Sequence, residues 1–248
     1  MAYREHEFYD DAEGFTGYMA HRANPANPND TIEEPIFTEM LGAVAGLDIL
    51  DLGCGDGTFG HGLLAAGCTS YCGLDASVNM VGTAQARLAS TGGRGNVIHA
   101  DIKQWTYPGA AFDLVISRLA LHYIADEDIS PLFSNVSATL RPGGRFVFSV
   151  LHPVFTSSAR SLQESARHQD WIVDEYFVPG PRVFPWLGAQ VTWHHRTVED
   201  YVMALQGAGF TLTRLRESRP DPSQFFDQSE YERRRRIPLF LFLAGAKG

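Results

Sequence analysis

Three carboxylates stand at the ends of short apolar runs. Asp51 lies in ILDLGCGDG, residues Ile49 to Gly57, two places before Gly53; Asp75 closes the run Tyr71–Asp75, and Asp101 follows a third run in Ala100-Asp101-Ile102. A carboxylate beside a glycine loop can hold an ammonium group through charge-assisted bonds, which suits Asp51. One at the end of a second strand can accept both hydroxyls of a ribose, which suits Asp75. The third, Asp101, can accept from an exocyclic adenine amine. Gly53, Gly55 and Gly57 let the backbone turn tightly and approach a ligand. Gly55, Gly57 and Gly60 also satisfy G-x-G-x-x-G, a weak dinucleotide signal by itself, whose plainest reading is a tight strand-to-helix turn. A third carboxylate makes little sense against an anionic pyrophosphate and good sense for a cationic amino-acid nucleoside.

Base candidates are histidines, whose unperturbed pKa lies near neutrality. His122 sits in LALHYI and His152 in SVLHPVF, at the carboxyl end of a fifth strand, where the active groups of open α/β sheets gather. His195, with His194, precedes a late helix. The competing reading of each is a histidine satisfied by backbone groups. His6, His21, His61, His99 and His168 have no comparable claim. Cys54, Cys68 and Cys72 form no C-x-x-C pair and lack histidines at finger spacing, so reduced thiols and no metal site are expected.

These groups need a frame, and the frame is an α/β alternation. Apolar runs at Leu47–Gly53, Tyr71–Asp75, Asn96–Ile102, Phe112–Ser117 and Arg145–Leu151 are separated mostly by helix-like pieces at Thr58–Ala66, Ser77–Ser90 and Asp128–Leu140. Near-continuous apolar strands argue for a parallel sheet covered on both faces. Arg141-Pro142-Gly143-Gly144 reads as a turn into the fifth strand. Upstream, Glu5–Arg22 reads as helical, Asn24–Asn29 breaks it, and Thr31–Leu41 resumes with Thr31 and Glu34 at capping-box spacing. His152 to Arg196 reads as irregular. A helix at Thr197–Ala208 follows, then strands Phe210–Arg216 and Pro238–Ala244 with no helix between them, only a polar connection, which suggests an antiparallel closing hairpin.

The chain has 248 residues, suiting one domain, residues 1–248, with a helical cover at 1–45 and a lid at 152–196. Apolar residues at 44% and charged residues at 20% exclude a disordered chain. Twenty Lys and Arg against 29 Asp and Glu give a formal charge of −9, which repels phosphate backbones and argues against a nucleic-acid partner. The start reads as no secretory signal, and the longest apolar run, Ile237–Ala246, holds Pro238 and is too short to cross a bilayer. No membrane partner and a cytoplasmic location are expected, as a monomer or homodimer.

ILDLGCGDG, GLDAS with Met80, ADI, FDLVIS and RPGG, in this order, resemble the class I S-adenosylmethionine-dependent methyltransferases. The resemblance implies a doubly wound, seven-stranded, mostly parallel sheet with an antiparallel last strand, and S-adenosyl-L-methionine as cofactor. Carried over by position, Asp51, Gly53 and Gly55 match the loop around the methionine moiety, and Asp75 the ribose ligand. Ala76 and Met80 match residues near adenine, Asp101 and Ile102 its edge, and Ser117 to His122 a stretch passing the sulfonium. Tyr18 and Arg22 resemble a tyrosine and arginine that close over the cofactor, Arg22 meeting its carboxylate. HHRTVEDY resembles a stretch of bacterial small-molecule methyltransferases of the ubiquinone-biosynthesis-like kind. Arg118 departs from the subgroup's small or apolar residue, pointing either to solvent or to an acidic part of a substrate.

Phe155, Trp171, Tyr176, Phe177, Phe184, Trp186 and Trp193 make the lid aromatic enough to sandwich a planar acceptor, or else form a satellite core. The expected activity is methyl transfer to nitrogen or oxygen of a small planar metabolite, with secondary metabolism as a setting. The alternatives are an RNA or protein methyltransferase, disfavoured by charge and by SRLALHY in place of an Asn/Asp-Pro-Pro-Tyr motif, and a non-catalytic cofactor-binding regulator, disfavoured by the full carboxylate set. Arg233 to Arg236 read first as a solvated face, and otherwise as an anion or dimer contact.

Overall fold

In the computed structural model, residues 2–3, 6–24, 26–160, 170–225 and 227–248 are described. Helices α1 (Glu7–Asp10) and α2 (Ala12–Arg22) open the chain. Asp11 caps α2, its side chain accepting from the Glu13 and Gly14 amides. A single π-helical turn, Asn29–Glu33, leads into α3 (Glu34–Leu41), so the capping box expected at Thr31 does not form. Thr31 donates its hydroxyl instead to the Asn27 carbonyl at 3.0 Å.

The alternation then runs as read: β1 (Asp48–Leu52), α4 (Thr58–Ala65), β2 (Ser70–Asp75), α5 (Val78–Leu88), β3 (Gly95–His99), β4 (Phe112–Arg118), α6 (Asp126–Thr139) and β5 (Leu140–Leu151). The RPGG segment is part of β5, at an irregular register between Phe112 and Leu114 of β4. A short helix α7 (Pro153–Thr156) and two strands, β6 (Gly180–Trp186) and β7 (Ala189–His195), follow. The segment read as irregular is therefore built around an antiparallel hairpin, its turn carrying Leu187 and Gly188 with positive φ of 48° and 83°. Then come α8 (Val198–Gly207), capped by a Thr197–Asp200 box, β8 (Phe210–Glu217), α9 (Gln228–Arg234) and β9 (Phe240–Lys247). The polar connection before the last strand thus holds a helix.

The seven-stranded sheet has the order β3-β2-β1-β4-β5-β9-β8, with only β9 antiparallel to its neighbours. Period-two alternation divides its side chains between two cores. Ile49, Leu114, Ile116, Val147 and Phe242 pack with α3, α4 and α5 on one face. Leu50, Val115, Phe146, Phe148 and Leu243 pack with α6 and α8 on the other. Both faces are covered, which explains the uninterrupted apolar strands. A third, smaller cluster of Phe8, Phe184, Val191 and Trp193 joins α1 to the β6–β7 hairpin. No helix among the described residues is long and apolar enough to cross a membrane.

Candidate active site

Where β1 and β4 lie side by side, the chain leaves β1 toward β2 and β3 on one side and returns to β4 and β5 on the other. Ligands of open α/β sheets bind beyond the strand ends at such a switch. A cavity of about 380 Å³ opens there, and Asp51, Gly53, Gly55, Asp75, Ala76, Met80, Asp101, Ile102 and His122 line it, as do Tyr18 and Arg22.

The glycine loop is held by Gly53 and Cys54, whose amides donate to the Leu74 carbonyl at 2.8 and 2.9 Å. Gly53 has a φ of 78°, and a Cβ there would stand 2.5 Å from that of Ala120. Asp75 accepts from the Gly55 amide through one oxygen and from the Ser77 amide through the other, both at 2.9 Å. Each oxygen keeps a lone pair for a further donor. Burial pushes the Asp75 pKa up, and those two amides oppose it.

Asp51 is 2% exposed. Its Oδ2 accepts from the Tyr71 hydroxyl at 2.7 Å, while Oδ1 is buried without a partner. Burial pushes its pKa up to about 7, Tyr71 and Arg118 pulling the other way. Arg22 pairs through one nitrogen with Asp30 at 2.8 Å and leaves the other, Nη1, buried and unpaired. An unpaired carboxylate oxygen and an unpaired guanidinium nitrogen in one cavity suit an α-ammonium and an α-carboxylate.

The histidines divide. His122 lines the cavity, 3% exposed, its Nδ1 buried without a partner. Burial, and then the nearby Arg196, push its pKa down to about 3, so it stays neutral at working pH. His152 and His195 are not brought into the cavity wall. His152 caps α7, its Nδ1 accepting from the Val154 amide at 3.1 Å, while Nε2 meets Glu217 at 3.1 Å. His195 is enclosed between the Thr156 hydroxyl at 2.8 Å and the Tyr176 carbonyl at 2.9 Å. Burial lowers both. Ser117 also lies outside the wall, donating to the Leu52 carbonyl at 2.8 Å beneath the loop.

Other wall residues carried no prior claim. Tyr9 and Tyr123 line the cavity and join hydroxyls at 2.8 Å. His6 and His21 line it as well. Arg118 does not point to solvent; it too lines the cavity, where acids of the chain itself hold it. It forks onto fully buried Glu33, pairs with Glu34 at 3.2 Å, and stacks 4.0 Å over the Phe59 ring. Of the lid aromatics, Phe155, Trp186 and Trp193 line the cavity, Phe184 packs in the satellite core, and Phe177 is exposed. Arg233 and Arg234 are in the wall rather than on a solvated face.

An open α/β sheet with a glycine loop and carboxylates beyond its strand ends has the architecture of a nucleotide- or nucleoside-binding fold, and comparison with known proteins gives its class. Residues 49–144 match the methyltransferase-domain family model. A crystal structure of an S-adenosylmethionine-dependent methyltransferase from Mesorhizobium loti is 34% identical, with a TM-score of 0.77, over 92% of this chain and all of that one. An uncharacterized protein of Haemophilus influenzae is 30% identical over 84% of this chain and 85% of its own. The magnesium protoporphyrin IX methyltransferase of Synechocystis, solved with bound S-adenosylhomocysteine, shares the fold at 18% identity and a TM-score of 0.64, over 97% of this chain and 96% of that one. This chain belongs to the class I S-adenosylmethionine-dependent methyltransferases. Its cofactor is S-adenosylmethionine, and the orphaned atoms of Asp51 and Arg22 fit that molecule's amino-acid end.

Proposed function

We propose that the enzyme methylates a nitrogen or oxygen of a small, planar aromatic or heteroaromatic metabolite. The observation that carries this reading is one cavity bounded both by Asp51, Asp75 and Asp101 and by the rings of Phe155, Trp186 and Trp193. A volume of about 380 Å³ lies in the range of small-molecule sites.

In this reading Asp51 and Arg22 hold the cofactor's ammonium and carboxylate, Asp75 its ribose hydroxyls and Asp101 its adenine amine, with Ala76, Met80 and Ile102 packing on the base. Tyr18 covers this end, and Gly53 and Gly55 admit the close backbone approach. Ser117 acts from below by bracing the loop. When bound, the cofactor supplies an electrophilic sulfonium methyl. The aromatic wall aligns the acceptor with it and excludes water, and alignment alone is worth on the order of 7–11 kcal/mol in well-oriented cases. His122, held neutral with a pKa near 3, is too weak a base to ionise a hydroxyl and serves as a hydrogen-bonding group. His152 and His195 hold the lid's root in place. The acceptor therefore arrives with a free lone pair, as an amine, a ring nitrogen or an already ionised oxygen.

The test is to incubate the protein with methyl-labelled S-adenosylmethionine and a fractionated cell extract. Label in the small-molecule fraction is expected; label confined to protein or RNA would overturn the reading.

A further inference from the structure

Helix α9 ends in two arginines that stand in the cavity wall, Arg233 and Arg234. The next residue gives the contrast. Arg235 is 57% exposed and pairs with Glu232 at 3.3 Å, as a surface arginine does. Arg234 is only 16% exposed, and its Nε donates to Glu230 at 2.7 Å. Arg233 reaches the same carboxylate at 3.6 Å and lies over the Trp171 ring at 5.9 Å. Among the described residues, Glu230 is the one acid paired with either, so two guanidiniums share one carboxylate. Burial, and after it the neighbouring Arg233, pull the Arg234 pKa below the usual arginine value, with Glu230 opposing.

A second observation points the same way. The indole nitrogen of Trp186, another wall residue, is buried without a partner. An indole N–H only donates, as do guanidinium groups. Trp186 packs edge-on against His21 at 5.4 Å, and the His21 pKa is lowered by burial, then by Arg22 and by Arg234, with Asp30 opposing. This end of the cavity thus offers donors and surplus positive charge. Stabilising the last turn of α9 against the helix dipole explains cations there, but it does not require them to line a cavity, with Arg233 33% and Arg234 16% exposed.

We propose that Arg233 and Arg234, with the Trp186 indole N–H, bind a carboxylate or phosphate group carried by the aromatic methyl acceptor. The proposal rests on the reading of the aromatic end as the acceptor pocket. The substrate class becomes small aromatic acids or aryl phosphates, because the planar fork of a guanidinium can grip two oxygens of either oxyanion.

The test titrates three probes, benzoate, phenyl phosphate and neutral benzyl alcohol, into protein saturated with S-adenosylhomocysteine and into free protein, by calorimetry. At least one anion should bind tenfold or more tightly than benzyl alcohol, and which one does so tells carboxylate from phosphate. Arg234→Gln and Arg233→Gln should each weaken that anion about tenfold, Arg234→Lys should retain part of the affinity, and Arg235→Gln should leave it unchanged. S-adenosylhomocysteine affinity should stay within threefold in every variant. Equal binding of all three probes, an equal loss in Arg235→Gln, or loss of S-adenosylhomocysteine in place of the anion would each overturn the proposal. Absence of S-adenosylhomocysteine binding to the wild type would instead refute the cofactor placement, while the free-protein titrations would still decide on the arginines.

Discussion

The proposed pairing of Asp51 with the cofactor's ammonium group makes cofactor affinity depend on pH. The Asp51 carboxyl is buried, and its pKa of about 7 means that near neutrality half of the free protein carries it protonated. A protonated carboxyl cannot pair with an ammonium group, so ligand binding must draw on the ionised half. With that pKa, about a tenth of the sites are ionised at pH 6, and the Kd for S-adenosylhomocysteine, which keeps the α-ammonium, should be about fivefold weaker than at pH 7. The measurement belongs between pH 5.5 and 7.5, because α-amino groups themselves lose their proton at about 7.7–8.0. Asp51→Asn exchanges a charge-assisted bond, worth about 1.5–3 kcal/mol, for a neutral one. Calorimetry at pH 7.5 should show binding weakened about ten- to a hundredfold, with a flat profile between pH 6 and 7.

Stability should change in the opposite direction. A carboxyl whose pKa is raised on folding favours the folded state least when it is ionised, so its penalty grows as pH rises from about 4 through 7. The difference between about 7 and the 3.8 of a free aspartate caps that penalty at about 4 kcal/mol. Asp51→Asn should therefore raise the Tm of the ligand-free protein at pH 8 and leave it nearly unchanged at pH 4. Binding within threefold of the wild type, or the same pH slope in both proteins, would refute the ammonium assignment.

Gly60→Ala should act on the same carboxylate indirectly. A Cβ there would stand 2.2 Å from the Tyr71 ring and 2.6 Å from its hydroxyl, so thermal denaturation should show a loss of about 1–3 kcal/mol, with weaker S-adenosylhomocysteine binding as Asp51 loses its donor. His152→Ala removes the α7 cap and should cost about 1 kcal/mol in urea titration while turnover stays within threefold; a hundredfold loss of turnover would return His152 to the base role. His122 is kept neutral on folding, so its contribution is present above the free histidine value of about 6.5 and is lost as pH falls toward 3. The Tm difference between wild type and His122→Gln should accordingly shrink between pH 8 and pH 5.

The sheet was legible because its strands are buried on both faces. Ile49 and Leu50, or Phe146, Val147 and Phe148, feed opposite cores and leave no polar gap in the run. The three carboxylates were legible because strand ends and the glycine loop fix them in chain order. The lid hairpin was not, since Pro181 and Pro185 interrupt its strand signal; prolines are tolerated there because β6 is the edge of a two-stranded ribbon. Strand-end position also says nothing of where a side chain turns. His152 stands at the expected end of β5 and folds back to cap the next helix, while His122, in the stretch expected to pass the sulfonium, reaches the cavity. The arginine run misled for a related reason. Seven residues of polar helix carry no apolar stripe, so nothing in the sequence shows that Arg233 and Arg234 face inward while Arg235 faces out.

The two covers of the cavity come from distant parts of the chain, yet they meet. The backbone of Tyr3 bridges to β7, donating to the Gln190 carbonyl at 2.8 Å and accepting from the Thr192 amide at 2.9 Å. Phe8 of α1 packs with Phe184, Val191 and Trp193 of the hairpin, while Asp10 accepts from the Ser77 hydroxyl at 2.7 Å where α5 begins. The segment that stands over the Asp75 end is thereby fastened to the hairpin that carries Trp186 and Trp193. A small aromatic core of this kind needs no charge and orders both segments at once. In the proposed reading methyl transfer benefits, because the two covers that bound the cavity are positioned together and the acceptor is aligned with the sulfonium methyl by one connected wall.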